Sequence, residues 1–133
     1  MNDEERLERI EEVLERLDLL SQDHVILVEG LKDVRALEAV GIRGDFFTVQ
    51  ASGGPVAAAE YVESRGTGAV VLTDWDRKGN MLADQLLGLL PPGPGIDTAV
   101  RSDLSRLCGG LSKDVESLDS VVSRLHALCA HAP

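Results

Sequence analysis

The stretch VVLTDWDRKGN, residues 70–80, decides how the chain is read. Its first half is a run of apolar and β-branched side chains without polar alternation. That is the pattern of a strand covered on both faces, as in a parallel sheet. Its second half places Asp74 and Asp76 one residue apart at the end of the run, followed by two bases and Gly79. Two adjacent charges are costly in an apolar core. The strand must therefore carry them to an edge.

Upstream, HVILV (residues 24–28) is a second continuous apolar run, and it stops at Glu29-Gly30. Further short strands are predicted at 45–50 and 96–100, and the opening strand itself at 69–73. Apolar residues at helical spacing predict helices over 3–20, 32–40, 55–64, 78–90, 102–110 and 114–130. ASGGP (51–55) reads as a turn, with Pro55 placed to start a helix, and PPGPG (91–95) reads as a loop. Strands alternating with helices in this order predict an α/β fold with a mostly parallel four-stranded sheet flanked by helices.

Composition sets the boundaries. A chain of 133 residues suits one domain. It is 44% apolar but only 3% aromatic, so the core is expected to be built from Val, Leu, Ile and Ala. No apolar run approaches the ~18 residues of a membrane span, and no signal sequence opens the chain. Cys108 and Cys129 match no metal or redox spacing and read as free thiols. A cytoplasmic protein without membrane association is expected.

The formal net charge is −10. Half of it sits in residues 1–20, where eight acids face three arginines. This segment is an amphipathic helix with Leu7, Ile10, Val13, Leu14, Leu17 and Leu20 on one stripe. The stripe is suited to packing on the domain, or to a homodimer or protein partner. Ten of the 13 basic residues are Arg. An acid-rich, lysine-poor surface is expected of a halophilic source, where salt screens self-repulsion. The basic field usual in nucleic-acid binders is absent, but in such a setting acidity argues less strongly against nucleic acid.

Ligands of open parallel sheets bind beyond the carboxyl ends of the strands. Glu29 lies at that end of the first strand, and Asp74 and Asp76 at that end of the third. If the two strands are neighbours, their ends lie roughly 5 Å apart. Carboxylates so close raise one another's pKa unless a cation joins them. Oxygen ligands without His or Cys point to a hard ion, and Mg²⁺ fits best. Lys32, Arg77 and Lys78 would stand near the acids and hold phosphate, or be solvated surface charge. Gly53 and Gly54 would offer backbone N–H groups to an anion, or form an ordinary turn. Arg101 follows the fourth predicted strand and would reach the same edge. Trp75 would stack on a base or pack over the strand end. Tyr61 and the three histidines are assigned no role.

VILVEGLKDVRAL followed by VVLTDWDRKG resembles a Toprim domain. That is the catalytic fold shared by type IA and type II topoisomerases, bacterial-type primases, OLD-family nucleases and the small ribonucleases that mature 5S ribosomal RNA. The resemblance covers residues 23–101, flanked by an N-terminal helix (1–20) and a C-terminal helical segment (102–133). EGLKDVRAL is especially similar to the ribonuclease and small archaeal stand-alone versions, and TDWDRKG to the topoisomerase form. The resemblance implies a three-layer domain in which Glu29 is the general acid or base. Asp74 and Asp76 would hold Mg²⁺, with Mn²⁺ as a substitute and Glu29 as a further ligand. It implies phosphodiester chemistry on RNA or DNA by a nuclease-like stand-alone domain. The alternative is a non-catalytic Mg²⁺-dependent module that binds nucleic acid or nucleotide in a larger complex. One departure is Asn80, where some relatives carry an acid; a two-metal mechanism is not implied. The chain also shows no second domain with a nucleophilic tyrosine and no zinc-binding module.

Overall fold

The computed structural model describes residues 1–93 and 95–130. Pro94 of the expected loop and His131 lie outside the described residues. The elements run α1 (Asp3–Leu20), β1 (His24–Val28), α2 (Leu31–Ala39), β2 (Asp45–Thr48), α3 (Gly54–Arg65), β3 (Gly68–Val71), α4 (Arg77–Leu89), β4 (Ile96–Asp97), α5 (Ala99–Cys108) and α6 (Leu118–Ala130).

The four strands form one sheet in the order β2-β1-β3-β4, and every pairing is parallel. Val25 to Val28 and Ala69 to Leu72 are all essentially inaccessible to solvent. Their side chains alternate between two apolar layers, as the two-residue period of a strand requires. Ile26, Val28, Val70 and Leu72 face one core together with α1, α2, α5 and α6. Val25, Leu27, Ala69 and Val71 face the other core, formed with α3 and α4. The fold is therefore a three-layer α/β domain. Each fully buried Leu or Ile contributes roughly 1.5–3 kcal/mol by leaving water.

The N-terminal helix belongs to the first core. Asn2 caps it, its side-chain oxygen accepting from Glu5 N–H at 2.8 Å. Leu7, Ile10, Val13, Leu14 and Leu17 are buried, and the helix packs against α5 and α6. Its apolar stripe is thus covered by its own chain. Cys108 is buried in the same core, and Cys129 is partly buried; both are free thiols. Burial pushes the Cys108 thiol up to about 11.

The fourth strand departs from expectation. Only Ile96 and Asp97 pair with β3. Helix α5 begins at Ala99, inside the segment 96–100 that the sequence pattern assigns to a strand. Asp97 Oδ2 accepts from Val100 N–H at 3.1 Å, which turns the chain into the helix there. A five-residue apolar window carries too little periodicity to separate the two outcomes. The final helix also starts later than expected, at Leu118 rather than residue 114.

The strand order positions the site. From β1 the chain moves to β2 on one side through α2. From β3 it moves to β4 on the other side through α4. Connections thus leave β1 and β3 in opposite directions, which makes their carboxyl ends the topological switch point where such sheets bind ligands. Glu29 and Asp74 follow these two strands.

Candidate active site at the carboxyl ends of β1 and β3

Glu29 is 7% exposed, rare for a carboxylate, and it is bonded at both oxygens. Oε2 accepts from the Asp74 N–H at 2.8 Å, and Oε1 from Gln50 Nε2 at 3.3 Å. The first bond ties together the ends of the two central strands.

Asp74 leaves β3 with its own carboxylate held from below. Its Oδ1 accepts from Val115 N–H at 2.9 Å. Burial raises its pKa first, the Val115 N–H opposes this, and the neighbouring Glu29 and Asp33 carboxylates raise it further, to about 7.

Asp76 caps α4: its Oδ1 accepts from Gly79 N–H at 2.7 Å. Gly79 is required by space. A Cβ there would lie 1.8 Å from Asp74 O, so α4 starts in direct contact with the backbone that carries the acid. The buried Thr73 hydroxyl closes the same turn by donating to Gly79 O at 2.8 Å.

Arg101 reaches this turn from the first turn of α5. Its Nε donates to Thr73 O at 2.9 Å, and its Nη2 donates to Asp74 O and Asn80 Oδ1, each at 2.6 Å. Burial lowers its pKa, and the carboxylates of Glu29, Asp74, Asp84 and Asp76 oppose that shift.

The remaining expected residues are placed less centrally. Lys32 is 75% exposed at its side chain and stands 4.0 Å from Glu116. Arg77 and Lys78 are exposed on the first turn of α4. Gly53 is the N-cap of α3 with φ +109°, and the Gly54 N–H is taken by Val49 O at 2.8 Å. Trp75 packs on the first core, and its indole N–H donates to Ser112 O at 2.8 Å, which favours the packing role.

Two contributions escape the motif reading. Asp33 is 5% exposed, and its Oδ2 accepts from Gly30 N–H at 3.0 Å. Burial raises its pKa, with Glu29 and Glu116 adding to the rise and the Gly30 N–H opposing it. Its sequence signal is only an acid four residues after Glu29. The second is the loop before α6. Ser112, Lys113 and Val115 bind the Trp75 and Asp74 segment through their backbones, and backbone contacts leave no side-chain signature.

A groove of about 690 Å³ lies elsewhere, between α1, α6 and the turn after α2, and is lined by Glu11, Glu15, Asp18 and Asp119 among others. It does not include the carboxylates at the strand ends.

The chain matches a UPF0292 protein of Methanocaldococcus jannaschii at 32% identity, covering 93% of this chain and 98% of the relative. The chain belongs to the UPF0292 family. A UPF0292 protein of Methanosarcina barkeri is 38% identical over 90% of this chain and 85% of its own length. One of Thermococcus gammatolerans is 34% identical over 86% of this chain and 84% of its own. No family model matches this UPF0292 chain, and no solved structure matches it significantly.

The donors of the UPF0292 site can be compared with the needs of a hard cation. Among the described residues no group of three or more His, Cys, Asp or Glu side chains is placed to hold a metal ion. Asp74 and Asp76 each use one oxygen internally. The other Asp76 oxygen has no hydrogen-bond partner among the described residues, whereas the Asp74 carboxyl also meets the Glu29 carboxylate. This carboxylate set fits Mg²⁺, which takes one or two carboxylates and keeps waters in the rest of its shell. The raised pKa of Asp74 comes first from burial and then from the Glu29 and Asp33 carboxylates, and a cation would relieve the second part. No helix among the described residues is long and apolar enough to cross a membrane.

Proposed function

We propose that the chain is a cytoplasmic Toprim-like domain that cleaves RNA or DNA phosphodiesters with Mg²⁺. The observation that carries this reading is the Glu29–Asp74 hydrogen bond across β1 and β3. It joins Glu29 and Asp74 at the sheet's switch point, in the segments that carry the Toprim resemblance, which supports Glu29 as the proton carrier and Asp74 as a metal ligand. Asp74 and Asp76 would hold Mg²⁺ through the oxygens not taken by backbone N–H groups, with Mn²⁺ as a substitute. When bound, the ion supplies positive charge for a phosphate oxygen. Glu29 would move a proton to or from the reacting oxygen at Oε1, its more weakly bonded atom at 3.3 Å from Gln50. Arg77, Lys78 and Lys32 would meet the flanking phosphates.

A second reading is a non-catalytic Mg²⁺-dependent module that binds nucleic acid or nucleotide in a larger complex. It is favoured by one observation: both Glu29 oxygens already carry hydrogen bonds. One experiment separates the readings. Labelled RNA and DNA pools are incubated with wild type and Glu29→Gln, with and without Mg²⁺, over a wide salt range because phosphate contacts weaken steeply with salt. Mg²⁺-dependent cleavage lost in Glu29→Gln supports the nuclease. Mg²⁺-dependent binding without cleavage supports the module. Cleavage that survives in Glu29→Gln removes Glu29 from its role.

A further inference from the structure

Arg101 differs from the other cations near the strand ends. Its guanidinium is fixed by three hydrogen bonds, to Thr73 O, Asp74 O and Asn80 Oδ1. All three acceptors are neutral. Among the described residues it forms no ion pair. Its Nη1 has no hydrogen-bond partner among them either, and the side chain is only partly buried. Lys32, Arg77 and Lys78, by contrast, are exposed side chains without such fixing.

A guanidinium held in one orientation loses little freedom when a ligand arrives. It keeps its charge at every ordinary pH. An open N–H edge of this kind suits an oxyanion, to which charge-assisted bonds are strongest. Asn80 is central to this arrangement. Its amide oxygen lies 2.6 Å from Nη2, where a carboxylate of nearly the same shape would close an ion pair. Asn80 supplies the orienting bond without adding another negative charge to those that Glu29, Asp74, Asp84 and Asp76 already set around Arg101.

We infer that Asn80 is a positioning residue that keeps Arg101 available as a fixed oxyanion contact beside the Glu29–Asp74 pair. The anion is a phosphate oxygen of the substrate. Only that identity rests on the proposed function; the binding of an oxyanion does not.

The test is an NMR titration of inorganic phosphate into the metal-free chain in EDTA. It follows the Arg101 Nε–Hε resonance and the Thr73 backbone amide, for wild type, Asn80→Asp, Asn80→Ser and Arg101→Lys. Wild type is expected to saturate in the millimolar range. Asn80→Ser, which keeps a neutral acceptor, should stay within about threefold of it, whereas Asn80→Asp should weaken about tenfold. Arg101→Lys, followed on the Thr73 amide, should weaken by a similar factor because the fork is lost. Thermal melting checks that the variants fold, and Arg101→Lys decides the matter should Asn80→Asp not fold. Resonances unmoved by phosphate in wild type, or undiminished affinity in Asn80→Asp or Arg101→Lys, overturn the inference. Neither metal nor turnover enters the measurement. Absent cleavage with this pattern intact removes the nuclease alone, and cleavage without this pattern removes the Asn80 assignment alone.

Discussion

Glu29 Oε2 accepts a hydrogen bond from the backbone N–H of Asp74 at 2.8 Å, across the ends of two adjacent parallel strands. A nearly buried carboxylate thus serves as a structural cross-link as well as a candidate proton carrier. Glu29→Ala leaves the Asp74 N–H without its partner and should cost about 1–3 kcal/mol. Glu29→Gln keeps an amide oxygen for that N–H and should cost less. Both should lose cleavage. Urea unfolding of the two variants beside a cleavage assay makes the comparison. Equal destabilisation would show that the acceptor at Oε2 is unimportant.

Gly79 makes the tightest contact of the site. A Cβ at 1.8 Å from Asp74 O has no flexible side chain to push aside, only backbone. Gly79→Ala should therefore destabilise the chain by about 1–3 kcal/mol, as overpacking does. It should also displace the Asp74 carbonyl from Arg101. Gly88, inside the same helix, has no atom near an added Cβ. Gly88→Ala should instead be neutral or stabilise, by up to about 1 kcal/mol through helix propensity. Chemical denaturation of the pair checks the contrast. A Gly79→Ala variant as stable as wild type would contradict the close approach.

Continuous apolar runs made β1 and β3 legible in the sequence, because strands covered on both faces leave that pattern. The acids that end them were legible for the same reason: a charge has to lie outside the core. The sheet order was not, since nothing local says which strands pair. The switch point between β1 and β3 emerges only from the folded topology. Arg101 was a candidate for the same edge by position, but its three acceptors depend on α5 starting at Ala99, within a segment that reads as a strand. Asp33 carries no sequence signal beyond an acid four residues after Glu29, and its burial to 5% exposure follows only from the fold. The backbone of residues 112–115 could not be foreseen at all.

Asp76 combines two tasks that substitutions can separate. Its Oδ1 caps α4 through Gly79 N–H, and its other oxygen is the proposed metal contact. Asn is as good an N-cap as Asp but is a poorer Mg²⁺ ligand, being uncharged. Asp76→Asn should therefore hold stability within about 0.5 kcal/mol while weakening Mg²⁺ or Mn²⁺ binding at least tenfold. Asp76→Ala should lose about 1 kcal/mol as well. Calorimetric metal titration alongside thermal melting reads both tasks. Unchanged metal affinity in Asp76→Asn, combined with Asp74→Asn, would remove the metal site.

Asp74 contributes to the pH dependence of the metal-free chain. Its carboxyl is raised from an ordinary 3.8 to about 7, chiefly by burial. The native state therefore holds this proton more tightly than the unfolded chain. Between those two values the native state binds more protons, so the Asp74 contribution to stability falls as pH rises, and it levels off above about 7. Asp74→Asn has no such carboxyl, and its amide oxygen can still accept from Val115 N–H. In EDTA the variant should melt above wild type at pH 8, and the gap should close towards pH 4. Because Asp74 is only half-buried, screening limits the gap to about 1 kcal/mol, or roughly 4 °C. Adding Mg²⁺ at pH 8 should shrink the gap, because the cation stabilises the charged form that only wild type has. Parallel melting curves at pH 4 and pH 8, with no change in the gap, would mean that Asp74 is ionised across the whole range.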